Sequence, residues 1–152
     1  SHGDPSVMNE MAWELFRSGR PDLMDDATAL ARLAVDRAPD VSEVHHTLAS
    51  IFAKIDRWED SLDVARSCLM DPTALGAITA DLVDFFVDAA VAGHAARALE
   101  VILGSPCEIG LEPVIVALRQ DLGEDVVAPQ EVREVAQDVI RKIQDGRILS
   151  QY

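Results

Sequence analysis

The first half of this chain contains the same helical pattern twice, and this repetition limits what the chain can fold into. The first copy runs from Met8 to Asp40 and the second from Ser42 to Pro72. Each copy has an apolar stripe of helical period, a turn, a second apolar stripe and a proline that stops the second helix. A pair of helices cannot bury its apolar face alone, so such pairs stack on one another and form an extended surface.

Glycine and proline also separate apolar segments in the second half of the chain. Apolar residues at helical spacing occupy roughly residues 76–92, 95–103, 111–122 and 129–145. Each segment is followed by a residue that stops a helix, for example Gly93 after the first and Gly146 after the last. No alternation of period two is long enough for a strand. We therefore predict an all-α fold, a right-handed α–α superhelix (solenoid) of about four helical hairpins.

The last predicted helix, from Pro129 to Asp145, is expected to cap this stack. A stack of repeats exposes an apolar end, and a terminal unit must shield it. The residues predicted to face inward are Val132, Val135, Val139 and Ile143. Those predicted to face outward are Arg133, Glu134, Arg141 and Lys142.

The length of 152 residues is typical of one domain. Ser1 and His2 resemble the remnant of a cleaved tag. We therefore assign residues 1–6 to a tag remnant and leader, and residues 7–152 to a single helical repeat domain with a C-terminal capping helix. The chain is expected to be part of a larger multidomain protein.

The net charge of −14 limits the choice of partner. An acidic chain repels phosphate backbones, so we expect a protein or peptide partner with basic flanks and no nucleic acid. No apolar run approaches the roughly 18 residues of a membrane span, so no membrane interaction is expected. Cys68 and Cys107 have neither metal-site spacing nor a disulfide framework, which favours a reducing, cytoplasmic location. Self-association is left open.

No set of residues predicts catalysis, and we expect no cofactor and no metal. His45 and His46 are adjacent, so on a helix they point about 100° apart and do not share one ion. Asp81, Asp84 and Asp88 lie near one helical face, where a solvated acidic surface is a simpler explanation than paired catalytic carboxylates. The chain is therefore predicted not to be an enzyme.

Small residues at defined positions make the two copies similar to tetratricopeptide repeats (TPR). These residues are Ala12, Ala27 and Ala34 in the first copy, and Ala49, Ser61 and Cys68 in the second. Pro39 and Pro72 follow the second helices, and the first copy has an enlarged loop over residues 20–24. The resemblance is clear over residues 8–72 and weaker over 76–106, where Phe86 occupies a position expected to be small.

In this family the first helix of each repeat lines a concave face that usually takes an extended or helical peptide. The resemblance implies that the lining here is Asn9, Trp13, Arg17, His46, Ser50, Lys54, Val83, Asp84 and Val87. Only Asn9 and Lys54 match the set that clamps a chaperone's C-terminal carboxylate, so that activity is not predicted. The alternative is an ordinary helix surface, or a face covered by the chain's own C-terminal helix.

Three functions are compatible with these patterns. The first is a protein–protein interaction scaffold, in which a TPR-like domain binds a peptide or a neighbouring domain. The second is a small acidic TPR chaperone that holds a secreted or aggregation-prone client. The third is a regulatory segment of an enzyme whose catalytic domain lies outside this sequence. We prefer the first, because the chain contains no coherent catalytic set.

Overall fold

A computed structural model describes residues 3–152; Ser1 and His2, assigned above to a tag remnant, lie outside the described residues. Over the described range the chain forms eight α-helices and three short 3-10 helices, and no strand. The prediction of an all-α fold is confirmed. The chain divides into an N-terminal unit that ends at Met70 and a C-terminal unit from Asp71 to Tyr152. A single domain over residues 7–152 stays a prediction.

The N-terminal unit contains the two predicted repeats. Its helices are α1 (Pro5–Arg17), α2 (Met24–Arg37), α3 (Ser42–Lys54) and α4 (Trp58–Cys68). Helix α1 packs on α2, α3 packs on α4, and α3 also contacts both α1 and α2. The first helix begins earlier than predicted, because Asp4 caps it by accepting a hydrogen bond from the Ser6 N–H at 2.9 Å. Pro5 and Ser6, assigned above to the leader, are therefore helical.

Small residues are buried where the helices of each pair meet, as predicted. Ala12 and Ala27 are fully buried and belong to one core cluster with Ile51 and Phe52. In the second pair the Ser61 hydroxyl donates a hydrogen bond to the Ala49 carbonyl at 2.6 Å. That bond spans α3 and α4, so the two backbones lie close enough for a serine side chain to bridge them.

The turns in this unit have identifiable local causes. The enlarged loop contains a 3-10 helix, Pro21–Leu23, and an Arg20–Asp22 ion pair with an N–O distance of 2.7 Å. Between α3 and α4 the chain reverses at Asp56, whose φ of 61° places it in the left-handed region. Aspartate tolerates this conformation better than most residues do, which favours a turn at this position.

The C-terminal unit contains α5 (Leu75–Val91), α6 (Ala95–Ile102), α7 (Glu112–Asp121) and α8 (Gln130–Leu149). Two 3-10 helices, Pro72–Ala74 and Ile109–Leu111, precede α5 and α7. Each helix packs on the next, and α8 also packs on α5. The apolar stripes of α5 and α7 are buried, and they comprise Leu82, Phe85, Phe86, Ala89, Ala90, Val114, Ile115 and Leu118.

Two predictions about α8 are wrong. Val135 was expected to face inward but is 50% exposed, whereas Ala136, Val139 and Ile143 are buried. The buried stripe passes through position 136 because residues 136, 139 and 143 share one helical face, and 135 is about 100° away from 136. Gly146 was expected to end the helix, but α8 continues to Leu149.

Close packing explains why Gly146 lies inside α8 instead of after it. A Cβ atom at Gly146 would lie 2.6 Å from the Val91 Cγ2 atom of α5, so only glycine fits without a shift. The next residue, Arg147, bonds the carbonyl of Ala90 at 3.0 Å and the carboxylate of Asp121 at 2.7 Å. These contacts hold the last turn of α8 on the ends of α5 and α7, and they offset the low helix propensity of glycine.

We expect Ala27→Leu to lower the free energy of unfolding by about 1–3 kcal/mol, because a larger side chain overpacks a closely packed helix crossing. Ala29→Leu is the matched control, since Ala29 lies on the same helix and is exposed. Urea unfolding followed by circular dichroism measures both. Equal effects of the two substitutions would show that the crossing is not closely packed.

We expect the effect of Gly146→Ala on the free energy of unfolding to change sign with the residue at position 91, which faces Gly146. In the natural sequence it should destabilise the fold, because its Cβ meets the stiff, β-branched Val91. In a Val91→Ala background the same substitution should stabilise the fold by up to about 1 kcal/mol, through helix propensity. Thermal unfolding of the four proteins in this cycle gives the coupling. A cycle with no coupling would contradict the proposed close contact.

Candidate functional site

Trp13, His46 and Ser50, three of the predicted lining residues of α1 and α3, lie together in the N-terminal unit. The Trp13 ring lies with its centroid 5.6 Å from that of His46 and 5.0 Å from that of Phe16. The His46 side chain is buried, and its Nε2 atom is 3.4 Å from the Ser50 hydroxyl. Trp13 and Ser50 are themselves partly exposed. The Trp13 ring on α1 therefore lies beside two polar residues of α3. These residues, His46 and Ser50, are one helical turn apart.

Asn9 adds an amide one turn before Trp13 on α1. Its Oδ1 atom is buried and has no hydrogen-bond partner among residues 3–152. A buried acceptor without a donor costs free energy, and such atoms are rare in folded proteins. A donor supplied by a bound molecule would satisfy this oxygen. We call Asn9, Trp13, His46 and Ser50 the α1–α3 cluster.

Two predicted cations lie at the ends of the same helices. Arg17 is the last residue of α1 and Lys54 is the last residue of α3. Both are exposed, and the Arg17 guanidinium is 4.0 Å from the Glu14 carboxylate in a solvated pair. Positive charge at a helix C-terminus is stabilised by the helix dipole, so helix stability alone accounts for these two residues.

The remaining predicted lining residues belong to α5 in the C-terminal unit, where α8 is their neighbour. Val87 is buried and Val83 is partly exposed. The Asp84 carboxylate is exposed, and the ammonium of Lys142 on α8 lies 3.8 Å from it. Helix α8 therefore packs on part of α5, and whether this face is open stays a prediction.

The two adjacent histidines, His45 and His46, contact different parts of the fold. The Nε2 atom of His45 lies 2.7 Å from the Pro39 carbonyl, so this residue joins the start of α3 to the turn after α2. His46 instead contacts Trp13. Within residues 3–152, no group of three or more His, Cys, Asp or Glu side chains is placed to hold a metal ion.

The acidic face of α5 is not uniform. Partial desolvation of the carboxyl, together with the charge of nearby Asp84, raises the pKa of Asp88 above its ordinary value of 3.8, although the residue as a whole is exposed. Asp88 also lies in the last turn of α5, where the helix dipole disfavours negative charge. Both effects make the ionised form of Asp88 unfavourable in the folded chain.

Sequence reasoning missed the anchor formed by Arg147. This residue bridges Asp121 of α7 and the Ala90 carbonyl of α5, and the bond to Asp121 raises the pKa of its guanidinium. The partners lie 26 and 57 residues away in the chain, so no local pattern points to them.

Over the described range, no helix combines the length and the apolar character needed to cross a membrane. A scan against models of protein families, a search of curated proteins and a search of solved structures each found no match to this chain.

We expect Asp88→Asn to raise stability at pH 7. A carboxyl whose pKa is raised in the folded state destabilises the fold wherever it is ionised, and this penalty disappears once pH falls below the unfolded value near 3.8. The gain should therefore shrink between pH 7 and about pH 3. Thermal melts at both pH values measure it, with Asp81→Asn, an exposed carboxylate on the same helix, as control. A gain of equal size at pH 3 would contradict this account.

Proposed function

We propose that residues 8–72 form two TPR-like hairpins whose inner face, built by α1 and α3, binds an extended or helical segment of another polypeptide. The packing of α3 on both α1 and α2 supports this proposal, because consecutive hairpins of such repeats stack in this way. So do the buried small residues at the two helix crossings. In this proposal the C-terminal unit supplies the third and fourth hairpins of a right-handed superhelix, and α8 is its capping helix.

The observation that carries the proposal is the α1–α3 cluster. Aromatic residues dominate the binding energy of protein interfaces, and Trp13 is a large ring left partly exposed beside polar groups. Asn9 offers an acceptor without a partner, suited to a backbone N–H of a bound chain. A peptide offers both an apolar side chain for the ring and an N–H donor for the amide, so a polypeptide fits this surface better than a small ion does.

The charge of the chain defines the partner further. A net charge of −14 favours a segment with Lys or Arg at its edges, through faster and salt-sensitive association. The same charge disfavours nucleic acid. Cys68 and Cys107 are both buried and belong to no disulfide within residues 3–152. Disulfides are rare in reducing compartments, and we propose a cytoplasmic interaction domain without catalytic activity.

The proposal is tested with a peptide that is selected against the full chain from a random display library. Binding of this peptide is followed by the fluorescence of Trp13. The chain has two tryptophans, and Trp58→Phe removes the buried one. We expect the emission of Trp13 to shift to the blue as the peptide excludes water from the ring. The apparent affinity should fall as salt rises.

Variants identify the surface involved. Trp13→Leu and His46→Ala, measured by calorimetry with the same peptide, should each weaken binding by about tenfold or more, the range of an interface hot spot. Leu33→Ala is the control, since Leu33 is an exposed apolar residue on α2 outside the cluster. Normal binding by both cluster variants, with an unshifted Trp13 emission, would place the site elsewhere.

A further inference from the structure

A second surface suited to a peptide lies within the C-terminal unit, between α7 and the segment that leads into α8. It is a partly open cleft of about 310 Å³, and most of the residues around it are aliphatic. One wall is a stripe of α7 that contains Ile115 and Val116, and the other is formed by residues 126–129. The volume is at the lower end of the range for ligand sites, roughly 300–1,000 Å³.

Two apolar side chains at the edge of this cleft are exposed to solvent. Ile109 is 85% exposed and Val127 is fully exposed. Single exposed apolar residues are common, but these two flank a cleft that is itself apolar, so a ligand seated there would cover both. Removing them from water would favour binding.

Charged residues of opposite sign lie at the two ends of the cleft. On α7, Glu112 and Arg119 stand seven residues apart, so they lie on one face of the helix about 10 Å from each other, with Ile115 and Val116 between them. Glu108 adds a second carboxylate near Glu112 and accepts a hydrogen bond from the Gly104 N–H at 3.4 Å. One end of the cleft is therefore acidic and the other basic.

Arg119 has a buried hydrogen-bond donor that a bound ligand would satisfy. Its Nε atom is buried without a hydrogen-bond partner, and its guanidinium forms no ion pair within residues 3–152. An unsatisfied buried donor costs free energy, and a carboxylate is the group that best satisfies a guanidinium. Neither Glu108 nor Glu112 supplies that carboxylate in this structure.

We propose that this cleft binds an extended peptide segment with a Lys or Arg, an apolar residue and an Asp or Glu at alternate positions. Alternate side chains of an extended chain point the same way, and the outer two lie about 13 Å apart, within reach of charges about 10 Å apart on α7. The basic residue meets Glu108 and Glu112, the apolar one enters between Ile115 and Val127, and the acidic one pairs with Arg119. This site is separate from the α1–α3 cluster and does not depend on the function proposed for it.

Exchange of one charge tests the proposal. The probe is a peptide with blocked ends, containing Lys-Ser-Leu-Ser-Asp between glycines, and its comparison replaces the Asp by Lys. Dissociation constants come from titrations of the full chain followed by NMR. We expect the natural protein to bind the Asp peptide about tenfold more tightly than the Lys peptide, as loss of one charge-assisted pair implies.

Arg119→Glu should reverse this preference, because both ends of the cleft then attract Lys. Arg141→Glu is the matched control: it makes the same change in net charge at an exposed site on α8 outside the cleft, and it should leave the preference as it was. If Arg119→Glu lowers the melting temperature, Arg119→Gln replaces it and should abolish the preference without reversing it.

Several results would overturn the proposal. One is binding of neither peptide, and another is an equal change of preference in the Arg119 and Arg141 variants, which would indicate a general charge effect. A third is a set of shifted resonances that lies outside residues 103–132. Affinity that depends on protein concentration, as expected if a second copy of this chain fills the cleft, would also contradict it.

Discussion

Close approach of helix backbones is the constraint on which the N-terminal unit depends. Ala12 and Ala27 have no side chain beyond Cβ, and the Ser61 hydroxyl reaches across to the Ala49 carbonyl at 2.6 Å. Larger residues at these positions would separate the helices of each pair. Because the pairs are tight, α3 contacts α1 as well as α2, and the side chains of α1 and α3 share one surface.

The α1–α3 cluster follows from that packing. Trp13 and His46 are 33 positions apart in the sequence, and their rings come within 5.6 Å because the two first helices of the pairs are neighbours. Phe16 supports the tryptophan from its own helix, and Ser50 supports the histidine from the next turn. The surface is built from regular helices, which position side chains more rigidly than loops do.

Helix backbones also approach closely in the C-terminal unit, where a glycine makes the approach possible. Here α8 returns to α5, and the close contact is between Gly146 and Val91. Arg147 then joins three helices through Asp121 and the Ala90 carbonyl. Helix α8 packs on part of α5, where Val87 is buried, Val83 is partly exposed and Asp84 is exposed.

The sequence predicts the helices well because each one combines an apolar stripe with a clear stop. The two predicted copies, Met8–Asp40 and Ser42–Pro72, each contain two helices, although α1 begins earlier, at Pro5. The resemblance to TPR implied that Trp13 and His46 line one face, and their rings lie 5.6 Å apart. Local patterns are sufficient for the helices because each stripe and each stop lies within one helical pair.

Features that depend on distant residues could not be predicted. Glycine stops a helix by default, and only the contact with Val91, 55 positions earlier, explains why α8 passes through Gly146. Periodicity alone did not decide between positions 135 and 136, because that choice depends on which face of α8 meets α5 and α7. The unpaired atoms of Asn9 and Arg119 likewise follow from packing, and their residue types alone give no indication of it.

The central claim is that the joint surface of α1 and α3 binds polypeptide. It is tested most directly by NMR mapping of the full chain with a peptide selected against it, using the indole N–H resonances of the two tryptophans as internal references. The account predicts large shifts for Trp13, with the backbone amides of residues 9–17 and 46–54 following the same curve, and little change for the buried Trp58. Saturating binding that leaves the Trp13 resonance in place and moves resonances elsewhere would contradict it.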